Sequence, residues 1–157
     1  ILASLSADNS LVLWNLGTGR AERSLRAYSG LNPRTLALSP NGDLFAVAGE
    51  PFINNRFSDY DIRLSDTAGG ALRHTLAGHS AVTCCLAFDS SGMLYVAEAL
   101  AGRAGLYRLD VTQSMPDPVL MLSAPALVGV AIDPLGGLVA ASGDTIWRLD
   151  CPLKPLS

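Results

Sequence analysis

Two histidines and three cysteines are the residues of this chain best suited to bind a metal or to attack a substrate. His74 and His79 lie five residues apart, and a metal site would need further ligands that converge on both. Cys84, Cys85 and Cys151 form no Cys-x-x-Cys motif and no disulfide framework. Because neighbouring residues of a strand point to opposite faces, we expect Cys84 and Cys85 to be poorly placed to pair. These residues predict no metal site.

The motifs of nucleophilic catalysis and phosphate binding are absent from the sequence. It contains no Gly-x-Ser-x-Gly elbow, and the glycine-rich turn at 17–19 is not followed by a helical pattern. Asp89 and Asp133 precede glycine turns, where aspartate stabilises the turn backbone through local hydrogen bonds. We therefore predict that the protein is not an enzyme and uses no cofactor.

Composition limits the class of protein and of partner. Of the 157 residues, 49% are apolar and 16% charged, which is typical of a chain with a large core. The net charge of −3 disfavours nucleic-acid binding, and no apolar run reaches the roughly 18–20 residues that span a bilayer. Unpaired cysteines and the lack of an Asn-x-Ser/Thr site favour a cytoplasmic, intracellular protein. The sequence begins with Ile1 and not Met, so we expect the true N-terminus to be absent from it, and it reveals nothing about a targeting signal.

Three similar segments repeat along the chain, at 34–49, 84–98 and 128–143. Their turn glycines, Gly42, Gly92 and Gly136, are 50 and 44 residues apart, a spacing typical of stacked structural units. Each segment is an alternating apolar run, a polar turn that ends in glycine, and a second apolar run, which predicts a β-hairpin. Aligned on the glycines, the segments share columns of bulky residues: Leu36, Leu86 and Val130; Leu38, Phe88 and Ile132; Leu44, Leu94 and Leu138.

Extending this alignment predicts an all-β chain of antiparallel four-stranded units. We expect units at 1–30, 31–79, 80–123 and 124–150, followed by a tail at 151–157. They hold three, four, four and three strands, which we name a to d by their order in a complete unit. The predicted strands are 1–6, 10–16 and 21–28; 34–38, 43–48, 61–66 and 71–78; 82–88, 93–99, 105–110 and about 118–123; and 127–132, 137–142 and 145–150.

The segment SADNSLVLWN (6–15), the pair Gly78-His79 and the following SAVTCCLAF (80–88) resemble WD repeats. The resemblance implies a β-propeller of four-stranded blades that acts as a protein–protein interaction scaffold. It also implies that His, Ser, Asp and Trp side chains form a buried hydrogen-bonded cluster in a blade. Structural roles therefore fall to Asp8 and Trp14, with Ser4 or Ser6, in the first unit and to His79 in the third.

Fourteen strands make about three and a half blades of a larger ring. We expect either further blades before Ile1 or a second copy of the chain to close the ring.

The later units are also similar to NHL and gluconolactonase-like propellers, through LAFDSSGMLYVAEA with LYRLD and through VAIDPLGGLVAASGDTIWRLD. This second resemblance implies an alternative function as a metal-dependent hydrolase. Glu98, at the end of strand b of the third unit, and Asp144, in the next b–c turn, would supply part of the metal site.

The segment EPFINNRFSDYD (50–61) is the one feature that the repeat does not require. It expands a b–c turn of two or three residues to about eleven, and it carries residue types enriched at protein interfaces: Phe52, Ile53, Arg56, Phe57 and Tyr60. Loops of repeat proteins often form the binding face. We predict that these five residues contact other proteins in a multi-subunit complex. The alternative is a disordered insertion or one that packs on its own blade.

Overall fold

The computed structural model of the chain describes residues 1–26, 31–51, 60–79, 82–98, 104–113, 116–124, 126–133 and 136–149. The regular structure within these ranges is all β. Its fourteen strands are β1 (Leu2–Leu5), β2 (Ser10–Asn15), β3 (Arg20–Arg26), β4 (Leu31–Leu38), β5 (Leu44–Pro51), β6 (Ile62–Asp66), β7 (Leu72–Leu76), β8 (Thr83–Phe88), β9 (Leu94–Glu98), β10 (Gly105–Leu109), β11 (Val119–Leu122), β12 (Leu127–Ile132), β13 (Leu138–Ser142) and β14 (Thr145–Leu149). The predicted tail at 151–157 lies outside the described residues. In the described ranges no helix has the length and hydropathy needed to cross a membrane.

The strands form four separate sheets, and within each sheet every strand pairs antiparallel with the next along the chain. We call them blade 1 (β1–β3), blade 2 (β4–β7), blade 3 (β8–β11) and blade 4 (β12–β14). The sheets hold three, four, four and three strands, as the sequence predicts. The prediction of an all-β fold built from antiparallel blades is confirmed.

The blades are arranged around their first strands. In blades 2, 3 and 4 this strand is β4, β8 or β12, and β8 contacts both β4 and β12, while β1 of blade 1 contacts β4. A hydrogen bond also crosses the seam between blades 2 and 3: the backbone N–H of Leu86 donates to Oγ1 of Thr35 at 3.2 Å. Successive antiparallel sheets stacked side by side in this way are the blades of a partial β-propeller.

The second strand of each complete blade is buried on both faces. In β5, Phe45 and Val47 pack against blade 1, whereas Ala46 and Ala48 pack against blade 3. All four side chains are fully buried. Because a strand alternates its side chains with period two, one apolar run supplies both of these cores.

The turns between the first two strands of blades 2, 3 and 4 depend on glycine. Gly42, Gly92 and Gly136 have φ angles of 76°, 84° and 88°, in the left-handed region that side chains with a Cβ disfavour. In blade 3, Asp89 accepts hydrogen bonds from the backbone N–H and the hydroxyl of Ser91, at 2.9 and 2.7 Å. This contact closes the turn as the sequence predicts.

One column of the sequence alignment is wrong by a single position. The turn of blade 2 closes with a backbone bond from Ser39 to Leu44, whereas the turn of blade 3 closes from Asp89 to Met93, one residue sooner. The extra residue moves Phe45, and not Leu44, into the position of the buried leucines. Phe45 is accordingly fully buried, and Leu44 is only partly so.

The expectation that Cys84 and Cys85 point to opposite faces is also wrong. The pairing of β8 with β9 shifts between Thr83 and Cys85, so that Cys84 is an extra residue in a β-bulge. Both sulfur atoms therefore lie against β12: Sγ of Cys84 is 2.8 Å from the carbonyl oxygen of Leu127, and Sγ of Cys85 is 3.4 Å from that of Val128.

Candidate functional site between blades 2 and 3

A cavity of about 420 Å³ lies at the seam between blades 2 and 3. It extends from the end of the propeller where β7 and β9 finish and where β8 and β10 begin, which we call the His79 end, along β10 to the β10–β11 connection at the opposite end of the blade. Its polar and aromatic lining comes from Thr75, His79, Glu98, Tyr107 and Asp117.

Strand ends and their connections position these side chains. Thr75 lies near the end of β7, and His79 lies in the connection from β7 to β8. Glu98 is the last residue of β9 and lies opposite Gly105, the first residue of β10. Tyr107, two residues further along β10, packs toward blade 2, and Asp117 precedes β11. Adjacent strand ends of two blades therefore bring residues from distant parts of the chain into one cavity.

His79 and Glu98 form the polar centre of the cavity. Nδ1 of His79 contacts Oε1 of Glu98, and the two side chains are only 13% and 10% exposed. A polar group buried to this extent is costly unless it has a partner, so each side chain stabilises the other in place. The sequence predicts a structural role for His79. In the structure its partner is the carboxylate of Glu98.

The charge of the lining is predominantly acidic. Glu98 and Asp117 contribute two carboxylates, and among the described lining residues His79 is the only one able to carry a positive charge. The apolar part of the lining includes Leu76, Leu109 and the prolines that flank Asp117. A small volume of this kind, with an acidic centre and apolar walls, is suited to a cation that carries hydrocarbon.

The residues assigned to a structural cluster in the first unit lie in blade 1, away from this cavity. The indole N–H of Trp14 donates to Oγ of Ser4 at 2.8 Å. Asp8 instead accepts from the backbone N–H and the hydroxyl of Ser10, at 2.9 and 2.6 Å. These bonds from Ser10 lower the pKa of Asp8. The structure thus joins Trp14 to Ser4, places Asp8 in a separate turn, and places His79 at a different seam.

The predicted partner-binding segment is described only in part. Phe52, Ile53, Arg56 and Phe57 lie outside the described residues. Tyr60 is described and is half-buried, two residues before β6 begins.

The two acids of the hydrolase alternative have separate contacts. Glu98 contacts His79, whereas Asp144 is exposed in the β13–β14 turn and accepts from the hydroxyl of Thr145 at 3.2 Å. In the part of the chain that the structure describes, no three His, Cys, Asp or Glu side chains are grouped so as to hold a metal ion. The hydrolase stays a prediction from the resemblance.

Sequence reasoning did not find the cavity itself. It singled out His79 and Glu98 separately, and it assigned no role in a site to Thr75, Tyr107 or Asp117. The one available signal was Pro116-Asp117-Pro118, because an acid held between two prolines in a connection has a restricted backbone. The convergence of these residues depends on how two blades stack, which no local pattern encodes.

Comparison with known families supports the architecture. The profile of the WD domain, G-beta repeat, matches residues 70–102, a range that contains β7, β8, β9, His79 and Glu98. Together with the four antiparallel sheets, this match supports a WD-repeat propeller. No curated protein matches the chain.

Proposed function

We propose that this WD-repeat propeller is a non-catalytic platform that docks other proteins in a multi-subunit complex. WD repeats generally form protein-interaction scaffolds. The observation that carries the proposal is the cavity that reaches the His79 end, which presents acidic and aromatic groups between two rigid blades and takes His79 and Glu98 from the matched repeat. Strands buried on both faces hold those groups in place without needing a partner.

The position of the 50–61 segment in the chain also favours the His79 end as the docking face. It connects β5, which ends at Pro51, to β6, which begins at Ile62. In blade 3 the equivalent connection leaves from Glu98 in the cavity. We propose that Phe52, Ile53, Arg56, Phe57 and Tyr60 add contacts beside the cavity, because aromatic and arginine side chains dominate the energy of many interfaces.

The experiment replaces residues 52–59 with a short Gly-Asn turn in the protein as its cells produce it. Partners are then compared by cross-linking and quantitative mass spectrometry. Leu16→Ser is the matched control, since Leu16 is an exposed apolar residue in the β2–β3 turn, at the opposite end of the blades. Losing anchor residues can cost about 2 kcal/mol or more, roughly thirtyfold in affinity. We expect the shortened variant to lose specific partners that Leu16→Ser retains.

Two results would contradict this assignment. If the shortened variant unfolds while Leu16→Ser does not, the segment is part of the blade core. If it stays folded and recovers the same partners in the same amounts, docking occurs elsewhere on the propeller.

A further inference from the structure

We propose that the cavity between blades 2 and 3 binds a basic side chain, arginine or lysine, presented by the protein that docks at the His79 end. This inference rests on the proposed function and adds the chemical nature of the partner's contact. It follows from the charge of the cavity, the burial of Glu98, and the shape and apolarity of the walls.

The charge of the lining selects for a cation. Glu98 and Asp117 are both acids, and no lysine or arginine is among the described residues that line the cavity. Even when His79 is protonated, two ionised carboxylates leave a net negative charge. An anionic ligand would be repelled by this charge, and a cation would be attracted.

The burial of Glu98 makes this selection stronger. Its side chain is 10% exposed, so a ligand that enters the cavity displaces much of the remaining water around the carboxylate. A neutral or anionic group would leave the carboxylate poorly solvated, which is costly, whereas a guanidinium or ammonium group replaces water with charged donors. Nδ1 of His79 contacts Oε1 of Glu98, and a carboxylate has a second oxygen that can accept from a ligand.

The walls match the hydrocarbon part of a basic side chain. Leu76, Leu109 and Pro116 offer apolar surface along which the methylene groups of arginine or lysine can lie. The ring of Tyr107 can attract the charged end through its negative face. The volume of about 420 Å³ has room for such a side chain and lies near the lower end of the range for ligand pockets.

Asp117 has a different role from Glu98. It is exposed and precedes β11, at the end of the cavity away from Glu98. Its charge is solvated, so it attracts the approaching cation from a distance and contributes less to the bound state. The proposal therefore predicts unequal effects from removing the two carboxylates.

The test titrates the protein with N-acetyl-arginine methylamide in the presence of EDTA and follows backbone amide shifts by NMR. The citrulline analogue is the matched probe, because it keeps the shape of arginine and lacks the charge. We expect saturable shifts at His79, Glu98 and Tyr107 with the arginine probe, and at least tenfold weaker binding of the citrulline probe.

Three variants sharpen this test. We expect Glu98→Gln, which keeps a hydrogen-bonding group beside His79, to weaken binding of the arginine probe at least tenfold, and Asp117→Asn to weaken it about threefold. Asp144→Asn is the control, since Asp144 is an exposed acid in a blade 4 turn, and it should leave binding unchanged. Far-UV circular dichroism and thermal melting check that each variant is folded. If Glu98→Gln proves unfolded, Asp117→Asn and the citrulline probe decide the question.

Several outcomes would overturn the inference. Equal binding of the arginine and citrulline probes, or unchanged arginine binding in folded Glu98→Gln, excludes a cation site. If Glu98→Gln loses the arginine probe but keeps every native partner at wild-type affinity, the cavity does not receive a partner's side chain. In each of these cases the docking proposal is tested separately, with the variant in which a short turn replaces residues 52–59.

Discussion

In blade 1 the indole of Trp14 donates its N–H to the hydroxyl of Ser4, 2.8 Å away, whereas at the seam of blades 2 and 3 the imidazole of His79 contacts the carboxylate of Glu98. Trp14, Ser4 and His79 match positions of the structural cluster that the WD resemblance implies, whereas Glu98 does not. Ser4 is exposed and Trp14 is half-buried, but His79 and Glu98 are almost fully enclosed.

The registers explain why the two regions differ. They make Trp14 of blade 1 equivalent to Leu109 of blade 3. By the same registers, Ser4 is equivalent to the buried, apolar Val96. Glu98 lies two residues further along its strand, so the polar contact in blade 3 sits nearer the end of the blade. Trp14 therefore pins a hairpin in blade 1, whereas the equivalent Leu109 lines the cavity in blade 3.

The largest effect is expected at Gly49, the residue of blade 2 that is equivalent to Glu98 of blade 3. Gly49 lies opposite Pro33 in β4, as Glu98 lies opposite Thr83 in β8. A Cβ at Gly49 would collide with the backbone carbonyl of Asn32, which cannot move without disturbing the sheet. We expect Gly49→Ala to lower the free energy of unfolding by about 3 kcal/mol or more, measured in urea. A change below about 0.5 kcal/mol, the size usual for an inert surface site, would show that blade 2 has room there.

Breaking the buried pair comes next. We expect His79→Ala to lower the free energy of unfolding by about 3 kcal/mol, because it leaves the Glu98 carboxylate buried without its partner. Adding Glu98→Leu to His79→Ala should restore part of this loss, since an apolar residue removes the uncompensated charge. Urea unfolding of both variants measures the difference. A double variant less stable than His79→Ala would mean that Glu98 has other stabilising contacts.

The seam between blades 3 and 4 offers a third kind of polar contact, between Cys84 and Cys85. A hydrogen bond from Cys84 lowers the pKa of Cys85 from 9.0 to about 6, and the same contact raises the pKa of Cys84. Because the thiolate of Cys85 predominates above its pKa, iodoacetamide should modify Cys85 well before Cys84 at pH 7, and this rate should fall about tenfold by pH 5.

Peptide mapping in a Cys151→Ser background measures both rates. Cys84→Ala removes the hydrogen bond and should move the pH profile of Cys85 to higher pH. Equal labelling of the two cysteines at pH 7 would contradict the predicted difference between their pKa values.

The smallest effect is expected at the exposed pair of blade 1. Trp14→Phe keeps an aromatic ring and removes the N–H that bonds to Ser4, so we expect a loss of about 1 kcal/mol in the free energy of unfolding. Ser4→Ala should cost a similar amount, and the double variant should cost less than the sum. A loss of about 3 kcal/mol or more for Trp14→Phe would place the ring in a tighter contact than this structure contains.

The strand pattern was largely predictable, because alternation and glycine turns are local properties of the chain. The exceptions are places where one residue is inserted. The longer turn before Phe45 and the bulge at Cys84 each shift the alternation by one, and a pattern with a fixed period cannot detect such a shift.

The amino-acid sequence by itself determined the repeated hairpins and the turn glycines, since each depends on neighbours within a few residues. Only the tertiary structure decided that His79 contacts Glu98, that Asp117 and Tyr107 join them, and that both cysteines of β8 face β12. These contacts join separate strands or adjacent blades. They depend on the register and stacking of whole sheets, and that stacking arises from the sum of many apolar contacts and not from any single motif.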